Sequence, residues 1–169
     1  MTVWEGAWPS HELAESKRRL QELMRLLRSK DIGDDSEARN ALSKLVIVLA
    51  CGHLEFTFTE SFCEFARLQS SPKVAGFVRE DFRRGINPDK PNLMKKLNKI
   101  DKVLAQVFEA YLADPDTTRS ENLDTLVSKR NEIAHGKDAG SRTVVALNLA
   151  DFSLEFSEWI LETLTPVSI

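Results

Sequence analysis

Leu45-Val46-Ile47-Val48-Leu49-Ala50-Cys51-Gly52-His53-Leu54-Glu55-Phe56 is the stretch that decides the fold. It lies inside a longer segment, Ser36 to about Gln69, that keeps helical spacing and is apolar on nearly all sides between Leu45 and Leu68. Such a helix has no face to give to water, so the pattern predicts a central buried helix with other elements packed around it. Its longest uninterrupted apolar run, Leu45 to Cys51, ends at Gly52-His53. That is well short of the roughly 20 residues a membrane span takes. Cys51 and Cys63 on this helix would stand roughly 18 Å apart at about 1.5 Å per residue, too far for a disulfide. They read as small buried hydrophobes.

Upstream, Pro9-Ser10 opens a first helix with Ser10 as N-cap, and Leu13, Leu20, Leu23, Met24 and Leu27 follow at helical spacing. Ile32-Gly33-Asp34-Asp35 is a break. Downstream, Ser70-Ser71-Pro72 ends the central helix, Lys73 to Arg84 forms a short helix closed by Gly85, and Ile86 to Pro91 is a loop with two prolines. One helix then carries Leu93, Leu97, Ile100, Leu104, Val107, Phe108 and Tyr111, terminated by Asp114-Pro115-Asp116. Ser120 opens the next, which runs to His135-Gly136. After a turn at Ala139-Gly140-Ser141, Thr143 to Leu149 is β-prone but short. Asp151 caps a last helix with Phe152, Phe156, Trp159, Ile160 and Leu164 inward, ended by Pro166. There is no train of strands and no repeat. The expectation is an all-α bundle of about five helices in a single domain over residues 1–169, with 1–35 as an N-terminal helix and arm and 36–165 as the core bundle.

The chain has 169 residues, 42% of them hydrophobic, which excludes a disordered chain. Nine Phe against one Tyr read as core rather than as a platform for stacking bases. Met1 to Trp8 has neither a basic start nor an apolar leader core, so a cytoplasmic protein without membrane association is expected. The net charge of −3 is unevenly spread: residues 73–102 hold nine basic and four acidic side chains, a candidate electrostatic footprint for a polyanion or a plain solvated helix face. A pI near 5.7 argues against general, tight binding to duplex DNA. No phosphate-cradling glycine loop, nucleophile elbow, H-E-x-x-H or metal-ligand spacing occurs. No metal and no cofactor is therefore expected, which narrows any enzymology to acid–base chemistry without a metal.

One stretch carries such chemistry: Lys129-Arg130-Asn131-Glu132-Ile133-Ala134-His135-Gly136. Arg130 follows Leu123 by seven and Leu126 by four residues, so it falls on the inward stripe where a leucine is expected. A guanidinium there needs a partner, because burying it uncompensated costs several kcal/mol, roughly. Asp124, Ser128, Asn131 and His135 form a second, polar stripe, and Gly136 suits a helix C-cap that leaves His135 at the helix end. Spacing alone also fits a plain hydrogen-bond cluster that closes the helix. Glu55, a carboxylate on the apolar central helix, is either the partner of Arg130 or a group turned to solvent or another cation.

Val-Ser-Lys-Arg-Asn-Glu-Ile-Ala-His-Gly at 127–136 resembles the R-x-x-x-x-H motif of the HEPN superfamily, in the form seen in RiboL-PSP-type HEPN proteins. His53-Leu54-Glu55-Phe56 and the entry to the last helix, Val145 to Phe152, are also similar to that group. The resemblance implies a helical bundle that forms a two-fold homodimer with the motif helices meeting at the axis. It further implies a metal-independent endoribonuclease, a hydrolase often found as a toxin or effector in toxin–antitoxin and defence systems. Other members are non-catalytic RNA- or nucleotide-binding or regulatory interaction modules. Carried over, Arg130 and His135 would be catalytic with Asn131 in support, while Lys129, Lys137 and Arg142 could hold the RNA backbone. The partners implied are a second copy, an RNA substrate and an antitoxin or other regulatory protein. A composite site fits the geometry, since residues five apart on a helix differ by about 140° in direction, and two chains can bring both groups into one cleft.

Overall fold

The computed structural model describes residues 9–29, 36–82, 85–137 and 142–164. Over these the chain is all-α and has no strand. Seven helices are present among them, where about five were expected: α1 His11–Arg28, α2 Ser36–Gln69, α3 Pro72–Phe82, α4 Lys90–Ile100, α5 Lys102–Leu112, α6 Arg119–Ala134 and α7 Thr143–Leu164. The breaks at Ile32 to Asp35 and Ala139 to Ser141, and the terminator Pro166, lie outside the described residues, as do Met1 to Trp8.

α2 is the centre, with α1, α3, α6 and α7 all packed against it. Val46, Ile47, Ala50, Cys51, Leu54, Phe58 and Phe62 are essentially shut off from water. An 18-residue window of α2 is apolar enough to cross a membrane by length and composition, more than its seven-residue run suggests. Half of that window is buried inside the bundle, as the core helix of a bundle would be. Both cysteines are buried and free.

α1 starts as its sequence says, with Ser10 Oγ accepting from Leu13 N at 3.3 Å. Leu13, Leu20, Met24 and Leu27 are buried, so α1 is a wall of the core and more than an arm. Polar contacts fix its direction. Arg39 donates to the carbonyls of Leu27 (3.4 Å) and Ser29 (3.2 Å) at one end, and Ser16 Oγ meets His53 Nδ1 at 3.1 Å further along. Lys17–Glu158 and Arg28–Asp151 tie α1 to α7. α1 is therefore antiparallel to α2 and to α7, and α2 and α7 run parallel. Ser153 Oγ stitches that pair by donating to Ala50 O at 2.7 Å.

Phe58 joins the two halves of the bundle, its ring 5.7 Å from those of Phe62, Phe108 and Phe156. Edge and offset arrangements of this kind add roughly 0.5–1.5 kcal/mol per pair beyond burial. Tyr111 stacks on Trp159 at 3.9 Å, and the Arg119 guanidinium covers the Tyr111 ring at 4.0 Å. Among the described residues the aromatic rings are buried or half-buried, in keeping with a core role, except Phe77 on α3, which is 76% exposed.

Two expectations are corrected. The single helix expected from Leu93 to Tyr111 is two helices that meet at Asp101, whose φ of −154° and ψ of 118° are extended. The Asp101 N–H closes α4 on Leu97 O at 2.8 Å, and its carboxylate opens α5 by accepting from Val103 N (2.7 Å) and Leu104 N (3.2 Å). The apolar spacing runs through this joint unbroken, so periodicity alone cannot see it. The β-prone segment Thr143 to Leu149 forms the first turns of α7, and Asp151 is inside that helix, where it pairs with Arg28. β-branched residues cost a helix only about 0.7 kcal/mol each or less. Burying Ala146, Leu149 and Ala150 outweighs that cost.

Replacing Asp101 with Ala should cost about 0.5–2 kcal/mol in urea unfolding, and Asp101→Asn far less. His53 gives a second test. It is 3% exposed, and burial first, then Lys17, hold its pKa down at about 4. The unfolded chain binds the proton near pH 6.5, so this contribution to stability is complete above that pH and is lost as pH falls from about 6.5 to about 4. Unfolding measured across that range should show a loss on the order of 3 kcal/mol that His53→Gln removes.

Candidate functional site at the end of α6

α6 brings Leu123, Leu126 and Val127 into the core and carries Arg130 on the same stripe, as the spacing requires. The helix ends at His135, whose N–H bonds to Asn131 O at 3.0 Å. Gly136 follows at φ +69°, its N–H on Ile133 O, and the Lys137 N–H reaches back to Glu132 O, both at 3.0 Å. This closure satisfies the last carbonyls and needs a left-handed residue at 136. It leaves the His135 ring exposed at the tip, with no side-chain hydrogen bond among the described residues. Asn131 is half-buried one turn earlier.

Arg130 is half-buried and points the other way, into the protein. Its Nη2 donates to Asn87 Oδ1 at 2.7 Å. Burial pushes the pKa of the Cys51 thiol up, and the charge of Arg130 opposes that rise. Of the alternatives open for Glu55, an ion pair with Arg130 is absent among the described residues. Glu55 Oε1 accepts from Ile86 N at 3.1 Å instead, because the turn after α3 brings that amide to α2 first. Gly85, at φ +75°, opens the turn, and a Cβ on it would stand 2.9 Å from Glu55 Oε1. Asn87 Nδ2 donates to Asp89 Oδ2 at 2.7 Å, and Asp89 caps α4 through Asn92 N at 2.8 Å.

Asn87 is thus the residue that sequence reasoning missed. It belongs to a two-proline loop 43 positions before Arg130, and only tertiary folding joins the two. Asn-Pro-Asp ahead of a helix was a visible turn-and-cap signal, with nothing in it to name Arg130 as the partner.

Lys129 is half-buried, and Lys137 and Arg142 are exposed on either side of residues 138–141, which lie outside the described residues. The basic segment 73–102 is partly spent within the fold, since Lys96 pairs with Asp81 and lies over the Phe82 ring at 4.9 Å. Arg83 and Arg84 lie outside the described residues. A groove of about 530 Å³ between the end of α2, α3 and α4, lined by Phe77, Lys96 and Lys99 among others, contains none of the α6 motif residues. Among the described residues no group of three or more His, Cys, Asp or Glu side chains could hold a metal ion.

The α6 tip therefore presents two chemistries on diverging sides of one helix: a guanidinium held by a neutral amide, and an imidazole open to solvent. A comparison with family models matches the RiboL-PSP-HEPN family over residues 12–163, a span that takes in all seven helices, α1 included. Neither the curated proteins nor the solved structures gave a match.

The two left-handed glycines give unequal expectations. Gly136→Ala meets no atom within 4 Å and should cost about 1–2 kcal/mol from backbone strain. Gly85→Ala has the same strain and also forces Glu55 off Ile86 N, for about 1 kcal/mol more. Urea unfolding of the two variants side by side measures the gap.

Proposed function

The chain belongs to the RiboL-PSP-HEPN family, and on that premise we propose that it is a metal-independent endoribonuclease whose site is shared between two copies at a homodimer interface. The observation that carries this is the R-x-x-x-x-H pair itself. Arg130 is held in place without an ion pair among the described residues, and His135 stands exposed at the end of the same helix. The two groups diverge within one chain, and a second copy related by a two-fold axis supplies the missing neighbour to each.

In this reading the RNA 2′-OH attacks the adjacent phosphorus. The 2′-O–P bond forms, the P–O5′ bond breaks, the 2′ proton goes to a base, and the 5′ oxygen takes a proton from an acid. One imidazole per chain makes two such groups in a dimer, each worth about 10²–10⁴ in rate. Imidazole is the side chain suited to act as either base or acid near neutrality. Arg130 stabilises the charge that builds on the phosphorane oxygens. Asn131 lies one turn from His135 and orients it or the phosphate. Lys129, Lys137 and Arg142 hold the flanking backbone. A cytoplasmic toxin or defence effector, restrained by an antitoxin or other regulatory protein, is the setting that fits such an activity.

A second reading, a non-catalytic RNA- or nucleotide-binding or regulatory module, is favoured by one observation: among the described residues no side chain hydrogen-bonds His135 to fix its tautomer. Incubation of the purified chain with total RNA in EDTA separates the two. The nuclease reading expects fragments with 2′,3′-cyclic phosphate ends, undiminished by EDTA and reduced at least about 100-fold by His135→Ala or Arg130→Ala. Cleavage that EDTA abolishes, cleavage that the variants retain, or RNA bound and left intact would each contradict it.

A further inference from the structure

We propose that Asn87 is the positioning residue for Arg130, and that its neutral amide holds the guanidinium without offsetting its charge, leaving it available to a phosphodiester anion. The inference deepens the reading of α6 given above and rests on it for the identity of the substrate.

The geometry is over-determined. Asn87 Oδ1 is turned towards Arg130 Nη2 (2.7 Å) because Asn87 Nδ2 is turned towards Asp89 Oδ2 (2.7 Å). Flipping the amide would set donor against donor on one side and acceptor against acceptor on the other. The turn that carries Asn87 is pinned at both ends. Ile86 N is held by Glu55, and Asp89 is fixed as the cap of α4, accepting from Asn92 N and Asn92 Nδ2, both at 2.8 Å. Ile86 and Pro88, on either side of Asn87, are buried. Asn87 therefore cannot follow Arg130 if the guanidinium swings, and Arg130 is held to one direction.

The choice of an amide matters as much as its place. Arg18, Arg28, Arg67 and Arg119 each rest on a carboxylate. A carboxylate at 87 would grip Arg130 more tightly and cancel its charge. An amide oxygen accepts the same hydrogen bond and leaves the positive charge in place. That arrangement suits a group whose partner, an anion, arrives from outside.

The test exchanges the two side chains, Asn87→Asp with Asp89→Asn. The exchange keeps composition and net charge, keeps a capping residue at 89, and keeps the hydrogen bond between 87 and 89 with its polarity reversed. It differs in placing a carboxylate on Arg130, and it asks only that the exposed Asn92 amide turn over so that its oxygen accepts from the new amide at 89. A purely structural role expects the exchanged chain to behave as wild type. The proposal expects a thermal midpoint that is unchanged or raised together with a fall in RNA cleavage of about tenfold or more.

A second readout needs no turnover. Inorganic phosphate is titrated while the Arg130 Nε–Hε resonance, assigned by its loss in Arg130→Lys, is followed by NMR. The resonance should shift in wild type and stay still in the exchanged chain. If wild type leaves RNA intact yet shows this contrast, the nuclease reading falls and the role of Asn87 stands. Where the exchanged chain does not fold, Asn87→Ala takes its place, with cleavage expected to drop about tenfold because the guanidinium is no longer aimed. Wild-type cleavage in either variant, no phosphate shift in wild type, or an equal shift in the exchanged chain overturns the proposal.

Discussion

Between Val46 and Ala66, α2 turns buried side chains towards four other helices, and most of the remaining architecture follows from covering it. A helix that is apolar nearly all round is stable in water only when it is surrounded. α1 and α7 flank it, α6 closes another side, and α3 caps its far end. Phe58, in ring contact with Phe62 on its own helix and with Phe108 and Phe156 on α5 and α7, marks where these layers meet.

That enclosure creates the polar seam. Where α6 lies against α2, the position next in line for a leucine holds Arg130, and Cys51 on α2 feels both Arg130 and, from one turn on, Glu55. Arg130 and Glu55 face the same turn from two sides and each takes a different part of it: Glu55 the amide of Ile86, Arg130 the side chain of Asn87. The 85–89 turn thus receives a carboxylate on one residue and a guanidinium on the next, and no ion pair joins those two charges among the described residues. This turn uses a left-handed glycine, Gly85, and one proline, Pro88, and its Asp89 starts α4.

Much of this was legible from the sequence, for physical reasons that differ from element to element. The caps at Ser10 and Gly136 and the unbroken run of α2 come from local chemistry, and local chemistry is what a sequence displays. The inward position of Arg130 was legible too, because helical spacing places a residue regardless of its neighbours. The joint at Asp101 was hidden because the apolar rhythm of Leu97, Ile100 and Leu104 is kept across it. Thr143 to Val145 misled because propensity there is weak and the burial of Ala146 and Leu149 decides. The Arg130–Asn87 contact was out of reach because it spans 43 residues, and a loop with Asn-Pro-Asp announces its turn without naming what it touches.

The account depends on the diverging Arg130 and His135 being reunited on one phosphate by a second copy of the chain. The most direct measurement is a crystal structure with an RNA dinucleotide whose attacking 2′-OH is replaced by hydrogen, so that it binds without being cleaved. The account expects a two-fold dimer with the bridging phosphate at about 3 Å from a guanidinium nitrogen of Arg130 and within reach of a His135 ring, Asn87 still holding Arg130 from behind. A bound dinucleotide remote from α6, or two copies arranged with their α6 tips apart, would contradict it.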